Sequence, residues 1–99
     1  MAVRNERQRY VTFILSEGST SRNDMIHAIR SSFSRGEYED IKPWLTVFEG
    51  DRGILRCRHT GAERTREILN SMEVGGGEVK SVYTSGSIKK AKERLYGDG

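Results

Sequence analysis

One cysteine, one proline and no apolar run beyond a few residues mark this 99-residue chain, and each scarcity removes a class of explanation. A lone Cys57 cannot close an internal disulfide. The apolar runs fall far short of the roughly 20 residues that a membrane-spanning helix needs. The opening Met1-Ala2-Val3-Arg4-Asn5-Glu6-Arg7 lacks the apolar stretch of a secretion signal, so a cytoplasmic location without a membrane partner is expected. No sign of charge dominates either: 17 basic side chains stand against 14 acidic ones, a net charge of +3. What is present fits one globular domain, with 34% hydrophobic and 31% charged residues and enough length for a modest core without metal or disulfide staples. Charges balance over residues 1–50, so the excess lies in 51–99. Lys89, Lys90, Lys92 and Arg94, with Glu93 the one acid among them, account for it. A pI near 9.2 favours a polyanionic partner without requiring one.

The order of elements can be read from periodicity. Residues 9–15 alternate two apolar faces, which predicts a strand. Ser21 followed by Asp24 predicts a capped helix over about 22–34, with Ile26, Ile29 and Phe33 at helical spacing and Gly36 ending it. A polar loop over 37–42 then leads to Pro43 and a second strand, 44–49. Gly50-Asp51-Arg52-Gly53 predicts a hairpin into a third strand, 54–59. Thr60 and Glu63 have capping-box spacing for a second helix, which Gly75-Gly76-Gly77 would stop. A fourth strand over 78–84 and a last helix capped by Ser87 complete the chain. This β-α-β-β-α-β order predicts an α+β fold, a ferredoxin-like (RRM-like) sandwich with a four-stranded antiparallel sheet, two helices on one face and an added C-terminal helix. The domain spans residues 9–96, with 1–8 and 97–99 as loose ends.

Such a sheet has one face under its helices and one open. Alternation assigns Val11, Phe13, Leu45, Val47, Leu55 and Cys57 to the helix face, and Tyr10, Trp44, Phe48, Arg56, Arg58 and Tyr83 to the open one. Aromatics among arginines suit RNA, because rings stack on unpaired bases while guanidinium groups meet phosphates. The competing expectation is that Ile88, Ala91 and Leu95 of the last helix cover those aromatics and turn Lys89, Lys90 and Arg94 to solvent. A solvated helix face is the plain alternative for that cluster. Catalytic patterns are absent. His27 and His59 have no metal-ligand spacing around them, Cys57 reads as core, and the glycine run follows a helix instead of preceding one, unlike a phosphate loop. The scattered acids look like cap and turn residues.

The segments Gly53-Ile54-Leu55-Arg56-Cys57-Arg58 and Val82-Tyr83-Thr84-Ser85-Gly86-Ser87-Ile88-Lys89-Lys90 resemble the archaeal ribonuclease P protein component 2 family, which is shared with a small protein subunit of eukaryotic ribonuclease P and MRP. Ser87 stands where threonine is common, keeping the capping hydroxyl. The resemblance covers residues 9–92. It implies a subunit of the ribonucleoprotein that cleaves the 5′ leader from precursor tRNA. The RNA would carry the chemistry with its own magnesium, and this chain would bind no cofactor or metal. Implied partners are ribonuclease P RNA, the TIM-barrel-like ribonuclease P protein component 3 and the other protein subunits. By position in the motifs, Arg56, Arg58, Lys89 and Lys90 are the implied RNA contacts, with Lys92 and Arg94 as additions; no catalytic residue is implied.

Two rivals share the element order. A stand-alone RRM-like reader of single-stranded RNA would carry aromatics in its third strand, where this chain has Arg56, Cys57 and Arg58. An acylphosphatase would need a glycine-rich, arginine-bearing loop after its first strand. Ser16-Glu17-Gly18-Ser19-Thr20-Ser21 has one glycine and no arginine.

Overall fold

The computed structural model describes residues 7–17 and 20–96. The expected loose ends at 1–8 and 97–99 lie outside them, except for Arg7 and Gln8. In chain order the elements are β1 (Gln8–Leu15), α1 (Arg22–Ser32), α2 (Arg35–Ile41), β2 (Trp44–Glu49), β3 (Arg52–Arg58), a 3-10 turn (His59–Gly61), α3 (Ala62–Asn70), β4 (Glu73–Val74), β5 (Gly77–Ser85) and α4 (Ile88–Tyr96). The sheet runs β2-β3-β1-β5-β4 and every pairing is antiparallel.

The sheet therefore has five strands, not four. Gly75 and Gly76 sit at φ 62° and 87°, which side chains rarely adopt and which suit a two-residue hairpin turn. That turn folds Glu73–Val74 back onto Gly77 and Glu78, where the sequence suggested only a helix stop. Gly77 is fixed by packing as well, because a Cβ there would run into the carbonyl oxygen of Glu17.

The segment expected as a loop over 37–42 is largely α2. Ser34 accepts from the Glu37 backbone N–H at 3.2 Å while a Glu37 carboxylate oxygen accepts from the Ser34 N–H at 3.2 Å, a reciprocal cap that satisfies two otherwise orphaned donors. Gly36 thus lies inside a helix, and α1 ends earlier, where Phe33 turns extended. Lys42, at φ 55°, closes α2. The Thr60–Glu63 box does not form; Gly61 precedes α3, with no side-chain cap. At α1 the expected cap is present, with Ser21 Oγ accepting from the Asp24 N–H at 3.1 Å.

The core lies between the sheet and α1, α2 and α3. Val11, Phe13, Leu45, Leu55 and Cys57 meet Met25, Ile29, Phe33, Ile41, Ile68 and Leu69 there. Two assignments exchange faces. The β2–β3 register shifts between Leu45 and Val47, so Thr46 is an extra residue, and every side chain after it is inverted. Phe48 consequently packs on the main core, 6.3 Å from Phe13 between ring centroids, and Val47 turns to the other face.

That other face is not open. Ala91 and Leu95 of α4 lie over Ile54, with Tyr10, Val47 and Ile88 around them. Ile54 and Ala91 are fully buried. The molecule is three-layered: α1, α2 and α3, then the sheet, then α4.

Candidate nucleic-acid interface

The site begins at the turn between β5 and α4. Ser85 Oγ accepts from the Ser87 N–H at 3.0 Å and donates to the Ser87 carbonyl at 3.1 Å. Ser87 Oγ then accepts from the Lys90 N–H at 3.4 Å, and the Ser87 carbonyl accepts from the Ala91 N–H at 3.0 Å. These bonds start α4 at a fixed angle to the sheet. Its far end is held by Arg52, whose Nη1 donates to the Leu95 carbonyl at 2.9 Å. There a cation also complements the negative end of the helix. Tyr96 adds a hydroxyl bond to Glu49 Oε1 at 3.2 Å, and burial with the adjacent carboxylate pushes the Tyr96 phenol above its usual pKa.

With Ala91 and Leu95 buried, helical geometry sends Lys89 and Lys90 away from the sheet, and Lys92 and Arg94 to the two flanks. All four are exposed. Among the described residues Lys89, Lys90 and Lys92 make no ion pair. Arg94 is oriented by Tyr83, whose ring centroid lies 4.4 Å from the guanidinium carbon, a cation–π contact.

Arg56 stands on the α4 side of the sheet, in a cross-strand row with Tyr10 on β1 and Trp44 on β2. Its side chain is half-buried and makes no hydrogen bond or ion pair among the described residues. Arg58 is placed differently. Its Nη1 reaches the Asp40 carboxylate at 3.6 Å and the Asp40 carbonyl at 3.3 Å, which ties β3 to the end of α2. The structure thus gathers Lys89, Lys90, Lys92 and Arg94 on one helix, sets Arg56 on the sheet face that α4 covers, and gives Arg58 a structural partner.

Sequence reading passed over Arg9. Its guanidinium lies beside Gly86, with Nη1 3.4 Å from where a Cβ would stand. The available signal was its place at the start of the first strand, which an antiparallel sheet brings next to the last turn. The rings expected to stack bases are mostly occupied: Tyr10 packs under α4 and Tyr83 carries Arg94, while Trp44 remains 59% exposed at the sheet edge. Cys57 is buried and its thiol is pushed up by burial, as a core residue would be. Among the described residues no group of three or more His, Cys, Asp or Glu could hold a metal ion, and no helix is long and apolar enough to cross a membrane.

Charge is sorted along the strands. The end where β1 begins and β3 and β5 finish carries Arg7, Arg9, Arg56, Arg58 and the start of α4. The opposite end carries Glu17, Glu73 and Glu78 around a shared hollow, with Glu49 and Asp51 at the β2–β3 turn, where Arg52 pairs with Asp51 at 3.5 Å; Lys80 adds a second cation there. Such a field steers a polyanion towards one end of the molecule.

Comparison with known proteins gives consistent matches. Ribonuclease P protein component 2 of Methanosarcina mazei is 30% identical over 100 residues, covering 93% of this chain and 86% of that protein. The protein of the same name from Methanosarcina barkeri is 33% identical over 99 residues, covering 90% and 72%. That from Methanosarcina acetivorans is 30% identical over 100 residues, covering 93% and 76%. No family model matches the sequence. A chain in the cryo-EM structure of yeast ribonuclease MRP superposes with a TM-score of 0.67 over 94% of each chain at 10% identity, a likeness of fold.

Proposed function

The chain belongs to the ribonuclease P protein component 2 family and is a ribonuclease P protein subunit, and from that premise we propose that it binds and supports the catalytic RNA through the cationic side of α4. The observation that carries this reading is the fixation of α4. A helix held at both ends and buried on one stripe fixes the backbone positions of Lys89, Lys90 and Lys92, so little backbone freedom is lost when phosphates dock. Arg56 and Arg9 extend the positive field around its first turn, and Arg94 borders it.

Within the complex, removal of the 5′ leader from precursor tRNA is the work of the RNA and its magnesium. The chain's contribution is electrostatic. Fixed ammonium groups among crowded phosphates offset repulsion that magnesium would otherwise have to neutralise. The protein partners in this reading are the other ribonuclease P subunits, among them the TIM-barrel-like component 3. The four long strands, ordered β2-β3-β1-β5, serve as a ferredoxin-like core extended by β4. Recognition by base stacking on the sheet is disfavoured, since α4 occupies the face that an RRM-like reader would use.

Reconstituted cleavage of precursor tRNA tests the proposal. At limiting magnesium, omission of the chain or its replacement by the Lys89→Glu, Lys90→Glu double variant should lower the rate, and excess magnesium should restore it. Equal rates with and without the chain at every magnesium concentration would refute the role.

A further inference from the structure

Along the edge of the sheet formed by β2, residues of α1, α2 and β2 line a groove. Its volume is about 160 Å³, and Ile26, Ile29, Pro43 and Leu45 line it together with Tyr38 and Trp44. Trp44 is the most exposed of the large apolar side chains among the described residues, at 59%. It stands at the start of β2, an edge strand whose outer side pairs with no other strand of the sheet. The rim is cationic. Arg22 Nη2 donates to the Leu45 carbonyl at 2.9 Å, which holds that guanidinium at the mouth, and the Arg30 guanidinium carbon lies 5.7 Å from the centre of the Tyr38 ring. The adjoining hollow adds Lys42 and Arg56, with Glu39 the one carboxylate lining it.

Tryptophan, tyrosine and arginine are the side chains that most often dominate binding energy at protein interfaces, especially where an apolar pocket is ringed by charge. We propose that this groove receives a segment of another ribonuclease P protein subunit: an acidic stretch that inserts one aliphatic or aromatic side chain against Trp44 and Tyr38 while its carboxylates meet Arg22, Arg30 and Lys42. Charge complementarity selects the acidic partner, and the aliphatic floor selects the anchor. An RNA base fits less well, because reading a base edge needs polar groups, and the Leu45 carbonyl at the floor is already taken by Arg22. The inference rests on the subunit role proposed above and gives that role its protein-facing surface, at the β2 edge of the sheet and without the lysines of α4.

Trp44 is the one tryptophan in the sequence, so the groove carries its own probe. The chain labelled with 5-fluorotryptophan is followed by fluorine NMR, first alone over a range of concentrations, then with ribonuclease P RNA, then with each protein subunit. The expected result is a resonance unmoved by dilution or RNA and shifted by one protein subunit. The Arg22→Glu, Arg30→Glu double variant should weaken binding of that subunit at least tenfold and leave RNA affinity within about twofold. A shift produced by RNA alone, or by the chain's own concentration, would assign the groove to another occupant and overturn the inference. So would a complete, active complex in which the resonance has not moved. A chain that joins neither RNA nor any subunit would remove the subunit role, and this inference with it. Should the double variant not fold, the resonance of the unmodified sequence still decides between these outcomes.

Discussion

Thr12 and Thr84 are both threonines on adjacent central strands, yet they differ in what their hydroxyls meet. Thr12 Oγ1 donates to the Tyr83 carbonyl at 3.2 Å, whereas Thr84 Oγ1 is buried with no hydrogen-bond partner among the described residues. An orphaned buried hydroxyl costs about 1–3 kcal/mol, and valine has nearly the same shape. Thr84→Val should therefore raise stability by about 1 kcal/mol in urea unfolding; a loss of stability would mean that the hydroxyl is satisfied in solution. Single residues were unevenly legible in the sequence. The burial of Cys57 and the capping role of Ser87 follow from position and side-chain chemistry alone. The tie between Arg58 and Asp40 joins residues 18 positions apart through α2, a helix that alternation and turn signals did not resolve. Arg58 accordingly remains a motif position whose guanidinium already has a protein partner.

At the scale of elements, α4 is the piece on which the functional reading depends. Its stripe of Ile88, Ala91 and Leu95 was readable from helical spacing, and so was the need to bury that stripe on the sheet. Leu95→Ala should cost about 2–3 kcal/mol by loss of buried contacts over Ile54, measured by denaturant unfolding. An effect below about 0.5 kcal/mol would mean that α4 is not fastened to the sheet. The same variant should loosen RNA binding without altering any charge. Helix α2 was missed because Gly36 and a run of polar residues read as loop, although Ser34 and Glu37 already had capping-box spacing. The Arg64 hydrogen bond, at 2.7 Å, and the Ser34 N–H hold the Glu37 carboxyl below its usual pKa. A carboxyl depressed on folding stabilises the native state above its unfolded pKa, and that contribution disappears as the pH falls through the lower folded value. Glu37→Gln should thus remove part of the acid-side decline in thermal midpoint while lowering the midpoint at neutral pH. Identical pH profiles for the two proteins would contradict this. The bulge at Thr46 left no mark in the sequence pattern, since strand alternation by itself does not reveal an extra residue. Its cost was the exchange of Val47 and Phe48 between faces.

For the molecule as a whole, two features organise function: α4 closes one side of the sheet, and a group of arginines gathers at the end of the strands where α4 starts. The sequence disclosed a basic excess towards the C-terminus, but not this grouping. Arg9 and Arg56 come together with the start of α4 only through antiparallel pairing of β1 with β3 and β5. The five-stranded count was likewise hidden, because a two-residue strand is too short for any periodic signal. Lysines on a fastened helix that contact RNA phosphates must make binding depend on salt, and that dependence is the most direct test. Affinity for ribonuclease P RNA should be measured against salt concentration for the unaltered chain and for the Lys89→Ala, Lys90→Ala variant, with unfolding midpoints as a control. If both lysines meet phosphates, the slope of log affinity against log salt should fall in magnitude by about two, roughly one for each lysine, with stability unchanged. An unchanged slope in a variant that folds normally would show that these lysines do not meet phosphates.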